Sequence, residues 1–340
     1  MLDRRRGLYY NIKAESWIVF PSSVNTVLEC NTMYKTNFDF VVEKAKAVEK
    51  PIRVAIAGAD SENILLGAFE AEAAGFAELI LVGDEAKITK MLKDLSLLAR
   101  KYTIVPAAEE GENVVQAAID LIKAGKADVL MRGNTQTRDF LLPILDKKNG
   151  LIRKDKLLTQ ITMMKMPDYG RILAISDVTI IPDPDINQRK HIIKNMAGTF
   201  KALGYEHPNI AILSLVEKPT FHMVDTVEAQ SIVHDHKEKP IADCELVGPI
   251  AYDLIISKEA ARLKGYDCDL CGEFDGIVTP NLLAGNMLVK VLQMHGHASS
   301  CGVIVGANIP IAITSRSDKK EQAFLSLAVC AALPEQEIEC

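Results

Sequence analysis

At 340 residues, 48% hydrophobic and 25% charged, the chain can bury a sizeable core and is longer than one typical compact unit, so two α/β domains are expected. Acidic residues outnumber basic ones 45 to 39, the net charge is -6, and no long basic tract occurs, which argues against a nucleic-acid partner. No apolar run approaches the roughly 20 residues that a membrane helix needs, so a cytoplasmic protein without membrane association is expected.

Residues 1–32 carry neither helical nor strand periodicity and read as an N-terminal extension. An amphipathic helix follows in "MYKTNFDFVVEKAKA", from Met33. From Pro51 the chain alternates short branched apolar runs with longer amphipathic ones: "IRVAIAG", "SENILLGAFEAEAAG", "AELILVGD" and a helix over 87–98. "YTIVPA", a helix over 113–123, "ADVLMRG" and a helix over 140–145 continue the rhythm. This is the βαβ signature of a parallel sheet, and the first domain is expected to end near Lys148.

"LLTQITMMKMPDYGRILAISDVTIIPDP" then reads as two antiparallel strands joined by a Pro-Asp-Tyr-Gly turn. The βα alternation resumes with a helix over 185–203, "NIAILSL", a helix over 224–236, "IADCEL", a helix over 252–263 and "GIVTP". The chain closes with the helix "NLLAGNMLVKVLQ", a Val/Ile-rich strand in "GVIVGANIPIAITSRSD" and a final helix. Seven cysteines lie scattered along the chain and suit reduced thiols better than a disulfide scaffold. Cys268 and Cys271 form a lone C-x-x-C without a second ligand pair, so no metal is assigned. His222, His234 and His236 lack carboxylate-supported metal spacing and receive no role.

Four segments carry candidate binding groups. The closing strand empties into Thr314, Ser315 and Arg316 at a helix start, a usual shape for an anion site. "MRGNTQTRDF" places Arg132, Thr135, Thr137 and Arg138 where a strand gives way to a helix, and backbone N–H groups with the helix dipole favour an anion there. "AGNMLVKVL" sets Asn286 and Lys290 four apart on one helix face, with Gly285 allowing close backbone approach. Ser214, Lys218 and Thr226 fall at a strand end and its following helix, where they suit the lip of a cleft. Asp318 with Glu321 three residues on has capping-box spacing.

The segments "VAIAGAD", "ELILVGD", "ADVLMRG", "NIAILSLVEKPTFHMVDTVEAQ", "GPIAYDLIIS", "NLLAGNMLVKVL" and "GVIVGANIPIAITSRSD", in this order, resemble the phosphate acetyl/butyryltransferase family, most of all its butyryl branch. The resemblance runs from about Phe38 to Leu333. It implies reversible transfer of a short straight or branched acyl group between coenzyme A and inorganic phosphate, with both as substrates and no tightly bound cofactor. It also implies an isocitrate/isopropylmalate dehydrogenase-like fold and a homodimer. In that fold residues 33–148 and 301–340 form a discontinuous first domain, residues 149–300 form a second, dimerising domain, and the active cleft lies between them.

Carried onto this chain, the resemblance makes Ser315 and Arg316 catalytic. A guanidinium can grip phosphate oxygens through paired hydrogen bonds, and the Ser315 hydroxyl can donate to a tetrahedral oxyanion. An aspartate that the acetyl-specific branch carries further along this helix is absent here, where Gln322 stands. Asp318 therefore becomes the candidate to take the thiol proton. Asn286 and Lys290 are expected to border the cleft, Arg138 or Arg132 to supply a basic group, and Lys218 to meet a CoA phosphate. An acetyl-specific transferase and a catalytically silent CoA-binding module are the alternatives. A dehydrogenase of the same fold would need an aspartate-held metal and a cofactor site, and the sequence offers neither such a cluster nor a G-x-G-x-x-G or P-loop motif.

Overall fold

The computed structural model describes residues 35–107, 112–152 and 156–334; the expected extension over 1–32 lies outside them. The first stretch runs α1 (Asp39–Lys46), β1 (Ile52–Ala57), α2 (Glu62–Ala73), β2 (Ala77–Gly83), α3 (Glu85–Asp94), β3 (Thr103–Pro106), α4 (Glu112–Lys123), β4 (Val129–Arg132) and α5 (Thr137–Leu145). The βα alternation read from the sequence is all there. Helix α1 starts six residues after Met33. Asp84 caps α3 by accepting a hydrogen bond from Lys87 N, and α3 stops before the expected Leu98 because Ser96 takes a left-handed φ of 58°, which ends a helix of L-residues.

The second stretch comprises β5 (Thr159–Lys165), β6 (Ile172–Ser176), α6 (Ile186–Ala202), β7 (Asn209–Leu213), α7 (Val224–Glu238), β8 (Glu245–Ile250), α8 (Tyr252–Ile256), α9 (Lys258–Lys264), β9 (Gly276–Val278) and α10 (Leu282–Met294), then β10 (Ser299–Val305), β11 (Ile311–Ala312) and α11 (Lys320–Ala332). Strands β5 and β6 are antiparallel, as their turn implies.

Three readings need correction. The expected strand at "IADCEL" begins only at Glu245, because Asp243 and Cys244 still lie in bends. The expected helix over 252–263 is two helices, broken where Ser257 adopts extended dihedrals and its side chain accepts from Ala260 N to cap the second. The Val/Ile run at the end is not one strand but the antiparallel pair β10 and β11. Gly306 turns the chain between them at φ 91°, and a Cβ there would sit 2.2 Å from the Leu157 carbonyl.

One eleven-stranded sheet joins all strands of the described residues in the order β3, β2, β1, β4, β11, β10, β5, β6, β9, β7, β8. Its flanks are parallel and its centre, β11 to β6, is antiparallel. The closing segment returns to the first stretch, with β11 beside β4 and α11 packed on α1 and α2.

Along one face, a continuous apolar core joins β1, β2, β4, β5, β6, β7 and β10 to α1, α2, α6, α7 and α11. The other face carries two separate cores, one under α4 and α5 and one under α8, α9 and α10. Between these two cores the central strands β5 and β10 are left uncovered, and the cleft forms there.

Candidate active site

The cleft is a cavity of about 680 Å³, within the range of small-molecule sites. Its walls bring together Arg132, Thr137, Asn286, Lys290, Ser315 and Asp318, six of the residues singled out in sequence.

Strand β11 delivers the chain to Thr314, and a tight turn follows. Ser315 N donates to Asp318 Oδ2 at 2.8 Å, and Asp318 N donates to the Ser315 carbonyl at 3.0 Å. Asp318 is therefore a turn-closing group rather than the first half of a capping box with Glu321. The cap is made one residue later, where Gln322 Oε1 accepts from Lys319 N at 2.9 Å. Gln322 is thus engaged in starting α11.

The Ser315 hydroxyl lies 3.0 Å from Ser317 Oγ and accepts from Lys290 Nζ at 3.3 Å. An ammonium donating to a hydroxyl oxygen polarises the O–H and makes it a stronger donor to a third partner. Burial raises the Asp318 carboxyl above the usual carboxylate range, against the opposing pull of the Ser315 N–H, Lys290 and Arg132. A carboxylate so raised is a better proton acceptor at neutral pH.

Arg132, buried at the end of β4, donates from Nε and Nη2 to the Thr135 carbonyl at 3.1 and 2.6 Å and from Nη1 to the Thr314 carbonyl at 3.4 Å. It clips the loop after β4 to the Ser315 turn and lines the cavity. Burial lowers its pKa, nearby Arg316 adds to that effect, and Asp318 opposes it. A guanidinium stays charged through such a shift, so Arg132 and Lys290 give the cleft local positive charge in an acidic protein.

Asn281 caps α10 by accepting from Ala284 N at 2.9 Å. Asn286 donates from Nδ2 to the Val178 carbonyl at 3.1 Å, leaving its Oδ1 as an acceptor. Gly285 does permit a close approach, since a Cβ there would lie 2.3 Å from the Asp177 carbonyl. Asp177 itself accepts from Gln160 N, Thr179 N and Ile180 N and so pins the loop that lines the cavity beside Asn286. Burial pushes its carboxyl up to about 6.

Five expected residues fall elsewhere. Arg316 is exposed and lines a neighbouring cavity of about 260 Å³ with Gly58, Asp60, Asp84, Thr135 and Asp139; it makes no hydrogen bond or ion pair with the described residues. Arg138 is exposed on the first turn of α5 and borders neither cavity, so geometry favours Arg132 over it. Ser214 is buried in a separate, acidic cavity with Asp183, Asp185, Asp225 and Asp253, and Lys218 is exposed on the loop after β7. Thr226 is engaged within its own helix start, donating to the Met223 carbonyl at 2.6 Å.

The cleft floor was not among the expected residues. Gln160 and Thr162 of β5 and Ser300 and Gly302 of β10 line it, together with Gln293 of α10. The alternation in "TQITMM", polar at Gln160 and Thr162 and apolar at Ile161 and Met163, was the available signal for a strand with one wet face.

Residues 95–331 match the model of the phosphate acetyl/butaryl transferase family, and the chain belongs to that family. It is 33% identical over 298 residues to a phosphate acetyltransferase of Rhizobium meliloti, covering 87% of this chain and 93% of the relative. It is 30% identical over 295 residues to a phosphate butyryltransferase of Clostridium acetobutylicum, covering 87% and 97%. Among solved structures, a branched-chain phosphotransacylase from Enterococcus faecalis V583 superposes with a TM-score of 0.71 at 29% identity, covering 83% of this chain and 98% of that one.

Proposed function

We propose that the protein is an enzyme catalysing acyl-CoA + phosphate = acyl phosphate + CoA on short straight or branched acyl groups. The observation that carries this reading is the convergence of Arg132, Lys290, Ser315 and Asp318 on one cavity. In the thioester-forming direction Asp318 takes the proton of the CoA thiol. The sulfur attacks the acyl-phosphate carbonyl, and the oxyanion receives the Ser315 O–H. Phosphate then leaves as the C–O bond breaks, held by Arg132 and by Arg316, whose exposed side chain turns from the neighbouring cavity across the Ser315 turn. Asn286 and Thr137 orient the phosphate and acyl oxygens.

No dedicated cofactor enters these steps. Among the described residues no helix is long and apolar enough to cross a membrane. Incubating the protein with butyryl-CoA and inorganic phosphate and trapping acyl phosphate with hydroxylamine tests the reading. Hydroxamate that requires both phosphate and enzyme is expected; its absence with acetyl-, butyryl- and isobutyryl-CoA alike would reject the activity and favour a silent CoA-binding module.

We also propose the discontinuous two-domain division, 33–148 with 301–340 against 149–300, of the isocitrate/isopropylmalate dehydrogenase type; the return of β11 and α11 to the first stretch supports it. A homodimer through the second domain fits the exposed Leu283, Met287, Val291 and Met294, which recur at helical spacing on α10. Met287→Glu is expected to halve the mass measured by light scattering, and an unchanged mass would place the interface elsewhere.

A further inference from the structure

We propose that Asp177 is a positioning residue for the reaction: through the one peptide unit between Val178 and Thr179 it fixes the amide of Asn286 for phosphate. This rests on the acyl-transfer reading above. Asp177 stands just past the end of β6, is 2% exposed and is not among the residues that line the cleft. Its Oδ1 accepts from Thr179 N at 2.7 Å and from Ile180 N at 2.8 Å, and its Oδ2 accepts from Gln160 N at 3.3 Å. Burial raises the carboxyl to about 6, still below neutral, so the group is charged at neutral pH. Hydrogen bonds to a charged acceptor are the stronger kind.

The Thr179 N–H shares its peptide unit with the Val178 carbonyl. In a planar trans peptide these two groups point in opposite directions, so a carboxylate that grips the N–H also aims the C=O. Asn286 Nδ2 donates to that carbonyl at 3.1 Å. A carbonyl oxygen only accepts, so the nitrogen end of the amide faces Val178, and one N–H and Oδ1 remain for other partners. Asn286 is exposed and lines the cleft, which leaves the second N–H able to donate to a phosphate oxygen. Drawing on the Thr179 N–H polarises the peptide and makes the Val178 carbonyl a better acceptor. The negative charge of Asp177 stays behind that peptide, where it orients Asn286 without facing the phosphate.

The main chain of Asp177 is anchored to the same helix. Thr279 Oγ1 donates to its carbonyl at 3.0 Å, and α10 passes so close at Gly285 that a Cβ there would lie 2.3 Å from that carbonyl. Asn286 is the next residue. The helix that carries the amide and the peptide that receives it are therefore both seated on Asp177.

The test is a double-mutant cycle on the KM for phosphate, with butyryl-CoA as acyl donor, over Asp177→Asn, Asn286→Ala and the two together. Asp177→Asn keeps the size of the side chain and sets an N–H against the backbone donors. Each single substitution is expected to raise the KM for phosphate about tenfold, a hydrogen bond's worth, and to leave the KM for butyryl-CoA in place. The double variant is expected to match Asn286→Ala alone, because the relay has nothing to act on once that amide is gone. Effects that multiply to about a hundredfold in the double variant, or a KM for butyryl-CoA that rises with that for phosphate, would leave Asp177 a structural residue and overturn the inference. Hydrogen exchange gives a second reading that needs no change at Asp177. Saturating inorganic phosphate should slow exchange over residues 178–182 in the intact enzyme and not in Asn286→Ala; equal slowing in both, or none in either, would overturn the inference. Absence of hydroxamate from the intact enzyme with every acyl-CoA would remove the acyl-transfer reading, and this inference with it.

Discussion

The two faces of the central strands β5 and β10 differ in what covers them, and the sequence of each strand follows that difference residue by residue. On one face Ile161, Met163, Cys301 and Val303 join the continuous apolar core with α6 and α11. On the other, Gln160, Thr162, Ser300 and Gly302 meet the cleft. The register pairs Gly302 with Thr162 on the cleft side and Cys301 with Met163 on the sealed side, whereas Ser300 and Gln160 oppose Met164 and Ile304, which belong to the flanking cores. A sheet with an unbroken helical layer on only one side holds the fold with one set of alternate residues and forms a ligand site with the other.

Substitutions should separate along that division. The largest effect is expected from the sealed face: Met163→Ala, at 1% exposure, should cost about 3 kcal/mol of stability in a urea titration while leaving the KM for phosphate in place. A matching rise in KM would show that the two faces are coupled.

Next comes the open side of the molecule, where Asp318→Asn should lower kcat/KM by about thirtyfold. That is the roughly 2 kcal/mol expected when a thiol of reference pKa about 8.5 must ionise unaided near pH 7. Because burial raises the Asp318 pKa, the rate of the intact enzyme should fall with acidification at a pH above the ordinary carboxylate range, as Asp318 gains a proton and ceases to accept one. The Asn variant should lack that limb in a pH–rate profile, and a limb that persists would assign it to another group.

The smallest effect is expected from Thr162→Val. It removes the acceptor of the Gln160 amide and should change stability by about 1 kcal/mol or less, read as a small shift of the urea midpoint. A loss of several kcal/mol would mean that the cleft floor is part of the folding core.

Much of this arrangement was legible before any coordinates. The βα rhythm and the antiparallel turn at Pro167 to Gly170 are local patterns carried by periodicity and turn chemistry, while the meeting of Ser315, Asp318, Asn286 and Lys290 at one cleft was implied by the family resemblance. What escaped depends on contacts between distant residues. The run from Gly302 to Thr314 looks like one strand, because the turn that divides it is set by Gly306 fitting against Leu157. Arg132 and Arg138 are equivalent as letters. One is buried where β4 ends and bonds to Thr314, a segment 182 residues away, whereas the other is exposed on α5. Ser214 lies at a strand end as expected, but in a different and acidic cavity, and Lys218 is exposed on the loop that follows. The floor residue Gln160 belongs to no motif, and only its place in a strand with one uncovered face gives it meaning.

The central claim is that the Ser315 turn holds phosphate for acyl transfer. Phosphate-dependent CoA release from acetyl-, propionyl-, butyryl- and isobutyryl-CoA, measured for the intact chain and for Arg316→Ala, tests it most directly. Arg316 is exposed and bonds to no described residue, so its loss should leave the fold intact. Release from short acyl-CoAs that falls by about a hundredfold or more in the variant, roughly 3 kcal/mol of transition-state stabilisation, is the expected result. Release that is equal in both proteins, or that does not depend on phosphate, would contradict it.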